Sequence, residues 1–172
     1  MLTLARELGI GRATLYRWWG SRDELLGEVI ASLGVANLRR CEDDTGTPPG
    51  PRRVIDVHDL HLRRIQSSES LRTFLRSEPE VAFRVLLKHD GRVHQAVTDA
   101  LADFIRRQEA EASWHAPLGA DALADVVTQI SEAFLYGDLI AGREPDATTP
   151  SVVLGLMFGI HRERPDRHRS GR

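Results

Sequence analysis

Residues 8–23, Leu8-Gly9-Ile10-Gly11-Arg12-Ala13-Thr14-Leu15-Tyr16-Arg17-Trp18-Trp19-Gly20-Ser21-Arg22-Asp23, read as the turn and second helix of a helix-turn-helix, followed at once by the cap of a third helix. Gly9 allows the positive φ of a sharp helix-ending turn, and Ile10 offers an apolar anchor inside that turn. At about 100° per residue, Leu15 and Trp19 fall on one face, while Ala13, Thr14, Tyr16 and Arg17 spread over the other. That outer face is small, hydroxylated, aromatic and cationic, the mix that suits base edges and phosphates. The competing reading is that Tyr16 and Trp18 simply pack.

Charge supports the DNA reading through its distribution. The 172 residues carry a net charge of only −2. Residues 1–22 nevertheless hold Arg6, Arg12, Arg17 and Arg22 against Glu7 alone, and residues 161–172 hold five arginines against Glu163 and Asp166. A basic start on an acidic body concentrates positive potential where the motif sits, and each phosphate contact adds a salt-dependent increment of affinity. The alternative is that these arginines are solvated. No apolar run approaches the ~20 residues of a membrane span, and no signal-peptide pattern precedes Leu2, so a cytoplasmic, membrane-free protein is expected. The single cysteine, Cys41, makes no internal disulfide, and its neighbours Glu42, Asp43 and Asp44 argue against a reactive thiol.

Helical periodicity runs along the whole chain, which predicts an all-α fold. Ser21 with Glu24 forms a capping box, and Leu25, Leu26, Val29, Ile30 and Leu33 recur at helical spacing in a helix reaching about Arg40. Residues 42–51, acidic and then Gly/Thr/Pro-rich, read as a mobile boundary between a DNA-binding module (1–40) and a regulatory domain (51–161). Further helices are expected from Pro51 to near Ser67, from Ser68 or Ser70 through Arg76, and from Pro79 to about Lys88. After a break at His89-Asp90-Gly91 come helices to about Ala112, from Ala120 to Ala141, and from Thr149 or Pro150 to about His161. Residues 162–172 form a flexible basic tail.

The run Thr14-Leu15-Tyr16-Arg17-Trp18-Trp19-Gly20-Ser21-Arg22-Asp23-Glu24-Leu25-Leu26 resembles the recognition helix and following cap of TetR-family transcriptional repressors, whose pattern is T-L-Y-x-[HW]-F-x-[SN]-[KR]-[ED]-x-L-L. The resemblance implies that Thr14, Tyr16 and Trp18 face DNA and that Arg22 holds a phosphate at the start of the next helix. Trp18 stands where histidine is usual and offers a single hydrogen-bond donor. With Arg12, Ala13 and Arg17 these residues form the candidate DNA-binding set. The family also implies a homodimer on a palindromic double-stranded operator, with recognition helices ~34 Å apart, and release of a repressor by a small-molecule effector. Its long first helix is missing here, because Met1 falls inside what should be the second. Either the true start lies upstream or the chain is a natural truncation. In the second case a ligand-sequestering dimer with a vestigial DNA-binding module is the alternative function.

Phe74, Phe83, Leu87, Val97, Leu101, Phe104 and Trp114 can line a cavity or fill a core; the family resemblance favours an effector pocket, with Arg72, Arg76, Arg84 and His94 at its rim. Two late helices are apolar on two faces. Val127, Ile130, Phe134, Leu135, Val153, Leu156 and Met157 are therefore the expected dimer face of a four-helix bundle, with Gly155 and Gly159 letting a partner helix approach. The segment Tyr136 to Asp146 resembles the quorum-signal-degradation regulators within the family, which implies a small apolar or lactone-like effector. Asp56, His58, Asp59 and His61, and separately His89, Asp90 and His94, carry metal-capable side chains, but the first group reads as a wet, polar helix face and no metal is expected. No nucleophile or paired-carboxylate motif stands out, so neither a cofactor nor enzyme activity is expected.

Overall fold

The computed structural model describes residues 9, 11–88, 91–140, 143 and 146–160, and its regular elements are eight helices. They are α1 (Arg12–Trp19), α2 (Arg22–Asp44), α3 (Pro51–Ser67), α4 (Glu69–Ser77), α5 (Pro79–Leu86), α6 (Arg92–Ala112), α7 (Ala120–Ile140) and α8 (Thr149–Met157). The expected absence of a first helix concerns residues 1–8 and whatever precedes them, and the basic tail 162–172 likewise lies outside the described residues.

Gly9 and Gly20, at φ +65° and +64°, turn the chain at either end of α1. Ser21 then caps α2, its Oγ accepting from the Glu24 N–H at 3.1 Å. The 23 residues of α2 extend about 34 Å. Ala31 of this helix, with Leu26 and Ile30 beside it, packs towards α5 and α6, while Leu38 and Cys41 enter a second core with α3, α6 and α7. One continuous helix thus runs from the end that carries α1 into the heart of the body.

α2 ends four residues beyond Arg40, because its last carbonyls find partners. The Thr45 hydroxyl donates to the Cys41 carbonyl at 2.6 Å, and Arg53 of α3 donates to the Glu42 and Thr45 carbonyls, both at 2.7 Å. Those groups would otherwise be orphaned at a helix C-terminus. The same bonds correct the expectation of a mobile boundary. Thr47 donates to Asp56, and the Gly50 N–H donates to the buried side chain of Gln108, so residues 45–50 form a tied strap. Gly50 sits at φ +129°, where a Cβ would come within 3.4 Å of Ala112, and Pro51 opens α3.

The later helices follow the sequence signals with small shifts. Ser68 caps α4 by accepting from the Leu71 N–H at 3.3 Å, and prolines occupy the first turns of α5 and α8. α8 stops at Met157, short of His161, because Gly159 adopts φ +68° and the Ile160 N–H folds back onto the Gly155 carbonyl at 2.8 Å. Gly155 therefore serves this turn and the approach of Ile55 from α3, where a Cβ would lie 2.9 Å from the Ile160 carbonyl oxygen. Gly155 is buried against its own chain, so it does not admit a partner helix.

Two hydrophobic clusters hold the helices together. One joins α2, α3, α6, α7 and α8 around Leu38, Ile55, Phe104, Ile105, Leu123 and Leu154; the other joins α2 to α7 around Ala31, Leu62, Leu86, Val93, Leu135 and Tyr136. The space between them is incompletely filled.

Candidate functional site

A cavity of about 600 Å³ occupies that space. α2 contributes Leu26, Ile30, Leu33 and Gly34, and α3 contributes Leu62 and Ile65. α4 adds Leu71 and Phe74, α6 adds Val93, Val97 and Leu101, and α7 adds Leu135. The volume lies in the range of small-molecule sites. Gly34 lets α2 and α6 cross closely, since a Cβ there would meet Val97 at 3.1 Å, and Leu33 is 65% exposed at the cavity edge.

The polar part of the lining is mostly neutral, with Arg64 and Glu132 as its charged members, and the Thr128 hydroxyl is buried in it without a hydrogen-bond partner. His58 contacts Ser131 Oγ through Nε2 at 2.9 Å and Ser151 Oγ through Nδ1 at 3.2 Å. Ser131 donates its own proton to the Val127 carbonyl at 2.7 Å, so His58 Nε2–H is the donor to Ser131 and Nδ1 is left to accept from Ser151. Burial pushes the His58 pKa down to about 3 and the His61 pKa to about 4; the nearby His61 imidazole adds to the first shift and the Arg64 guanidinium to the second. Both imidazoles are thus neutral at physiological pH. Asn37 donates to His61 Nδ1 at 2.8 Å, and Arg64 is tied to Asp44 at 2.6 Å. Glu132 meets His94 behind the wall at 3.1 Å. Burial, with Glu132 adding to it, raises the Tyr136 pKa, so its hydroxyl stays protonated.

Of the residues expected to line a pocket, the structure brings Phe74, Val97 and Leu101 to the cavity and sends the others elsewhere. Phe83 of α5 packs against the cluster around Ala31, Leu62 and Leu86, Leu87 is 41% exposed, and Arg84 faces outward to Asp23 at 2.8 Å. His94 lies beside the wall between Glu132 and Asp125, at 3.1 and 3.2 Å. Phe104 is buried in the lower cluster under Arg107, and Trp114 packs edge-on against Phe158 at 4.9 Å. The reason is rotation along α6. Val93, Val97 and Leu101 keep the four-residue step that faces the cavity, whereas His94 is turned by one position and Phe104 lies nearly a turn deeper. Arg72 and Arg76 are bonded to Gln66 and Glu69, away from the cavity.

The patch at Asp56–His61 also corrects the expectation. His58, Asp59 and His61 are buried, Asp59 pairs with Arg63 at 2.9 Å, and the two histidines form part of the cavity wall in place of a wet helix face. Their three-residue spacing alongside Val54, Val57, Leu62 and Ile65 was the available signal. Asn37, Ser131, Glu132 and Tyr136 carried none, because their neighbours are set by helix packing. Among the described residues no group of three or more His, Cys, Asp or Glu is placed to hold a metal ion, and no helix is long and apolar enough to cross a membrane. His89 and Asp90 lie outside the described residues.

At the other end, α1 leaves Ala13, Arg17 and Trp18 exposed, Trp18 by 57%, with Thr14 half-buried. Trp19 is half-buried and edge-on to Trp18 at 5.5 Å. The side chains of Arg12 and Tyr16 lie outside the described residues. Arg22, at the first turn of α2, holds Glu78 through both terminal nitrogens at 2.7 Å. On the expected dimer face, Val127 and Leu135 are 3% and 4% exposed, so they belong to the protomer interior. Ile130, Phe134, Val153 and Met157 are half-buried, and Leu156 is 55% exposed.

Residues 49–159 match the family model described as the tetracyclin repressor-like C-terminal domain. No curated protein sequence matches the chain. Its fold is similar to that of a solved structure described as the R. erythropolis transcriptional repressor QsdR from the TetR family. The TM-score is 0.87 at 29% identity, over 95% of this chain and 86% of that one. With most of its length matching the regulatory-domain model, the chain belongs to the TetR family of ligand-responsive transcriptional regulators.

Proposed function

We propose that this protein is a homodimeric, cytoplasmic repressor that leaves a palindromic operator when a small apolar or lactone-like effector enters the cavity. One observation carries the reading: the cavity wall includes Leu26, Ile30 and Leu33 of α2, the helix whose first residue is Arg22 and whose cap joins it to α1. A ligand in the cavity therefore touches the element that carries the recognition helix. Effector binding shifts the population towards dimers whose recognition helices are wrongly spaced for both half-sites. Neutral His58 and His61 and the largely apolar walls favour an uncharged ligand. The protein binds that ligand without turning it over.

In this reading Arg12, Ala13, Thr14, Tyr16, Arg17 and Trp18 address the duplex, with Arg22 on a phosphate. Ile130, Phe134, Val153, Leu156 and Met157 supply the dimer face on α7 and α8, where Leu156 is an exposed apolar side chain. The test begins with a duplex selected from a random-sequence pool. Arg17→Ala weakens its gel shift, and titration with medium-chain lactones releases it from the parent protein. Unchanged affinity in Arg17→Ala removes that residue from the interface, and a complex that persists at saturating lactone refutes the effector assignment. A chain that binds lactone but no duplex is the sequestering dimer instead.

A further inference from the structure

We propose that Glu78 is a built-in competitor for the phosphate-contacting Arg22, so that the α4–α5 junction controls how far this guanidinium is available to DNA. The inference rests on the assignment of Arg22 to a phosphate in the function proposed above. Nη1 and Nη2 of Arg22 each donate to a different oxygen of Glu78, both at 2.7 Å. This is the fork-to-fork geometry with which arginine also holds a phosphate, and a guanidinium edge cannot satisfy both at once. The carboxylate occupies the donors that the DNA backbone needs.

Both partners are held in place by backbone structure. Arg22 follows the Ser21 cap of α2. Glu78 stands between α4 and α5: its N–H donates to the Phe74 carbonyl at 2.9 Å and its carbonyl accepts from the Ala82 N–H at 2.9 Å. Phe74 in turn lines the cavity, with Ser70 and Leu71 of the same helix. A shift of α4 over a bound ligand therefore carries Glu78 with it, towards or away from Arg22. Two neighbouring pairs, Asp23 with Arg84 at 2.8 Å and Glu28 with Arg92 at 2.6 Å, continue the seam between α2 and the body. Only Arg22 among the α2 partners in these three pairs is a cation.

The exposure of the pair suits exchange. Its side chains remain 41% and 38% exposed, so the bond is weak enough to open and a phosphate can reach the guanidinium. A deeply buried pair would staple α2 permanently.

The test is a double-mutant cycle on the full chain, read by fluorescence anisotropy with a 30-bp random-sequence duplex at low salt, where phosphate contacts dominate binding. Glu78→Gln removes the competitor and tightens binding by about 2- to 5-fold per protomer, the range of an exposed ion pair. Glu80→Gln, on an exposed residue two positions along, controls for loss of one negative charge and gives less. In an Arg22→Ala background the gain from Glu78→Gln disappears. A gain equal to that of Glu80→Gln, or one that survives in the Arg22→Ala background, overturns the competition while leaving Arg22 as a DNA contact. No loss of affinity in Arg22→Ala alone overturns the underlying phosphate assignment, and so does a parent chain that binds no duplex and is not rescued by Glu78→Gln.

Discussion

Acidification from about pH 7 to about pH 5 should cost this protein about 4 kcal/mol of folding stability through two histidines alone. His58 and His61 are buried, and their pKa values fall from 6.5 to about 3 and about 4, chiefly because burial penalises the charged imidazolium. A group with a depressed folded-state pKa binds protons more readily when unfolded. Its stabilising effect is therefore complete above the unfolded pKa and is lost as pH falls. Near pH 5 both folded-state imidazoles are still neutral while their unfolded counterparts are mostly protonated, a loss of about 2 kcal/mol each, with a limiting slope of ~1.4 kcal/mol per pH unit per histidine. The assay is urea unfolding at about pH 7, 6 and 5, comparing the parent with His58→Gln. The variant should lose about half as much stability over this window. Equal losses in parent and variant would show that His58 titrates normally in the folded chain, and the neutral network with Ser131 and Ser151 would have to be abandoned.

Three further outcomes follow from other parts of the fold. Phe104→Ala removes a ring that is 1% exposed in the lower cluster and should cost about 3–5 kcal/mol in the same assay, although this residue is not part of the lining of the 600 Å³ cavity. Arg53→Ala frees the carbonyls of Glu42, Thr45 and Thr47, so amide exchange across residues 45–50 should speed up and stability should fall by about 1–3 kcal/mol. Leu156→Glu places a charge on the exposed apolar face of α8 and should shift the mass in light scattering from dimer towards monomer; a variant that stays dimeric moves the interface elsewhere.

Helix positions were largely legible, because caps, prolines and glycines act over a few residues. Ser21, Ser68, Pro51 and Pro79 each mark a start that the structure keeps. The ends of α2 and α8 were not legible. α2 outlasts its apolar stripe because Arg53, from another helix, takes its last carbonyls, and α8 stops early because Gly159 turns left-handed. The strap at residues 45–50 has the composition of a loose linker but is held by Arg53, Asp56 and Gln108, none of which is its immediate neighbour.

The sequence alone determined the helical class, the order of the elements and the family, since periodicity, capping and the Thr14–Leu26 motif all act within one or two turns. Tertiary structure alone decided where the cavity lies and what lines it. Aromatic residues marked the pocket poorly, because large rings such as Phe104 and Trp114 fill the core, while the cavity remains where two clusters fail to meet. The same packing turned His58 and His61 inward, made them neutral by desolvation, and joined Arg22 to Glu78 across 56 residues of chain. Contacts between distant helices depend on how those helices rotate and cross, and no local pattern of residues records that geometry.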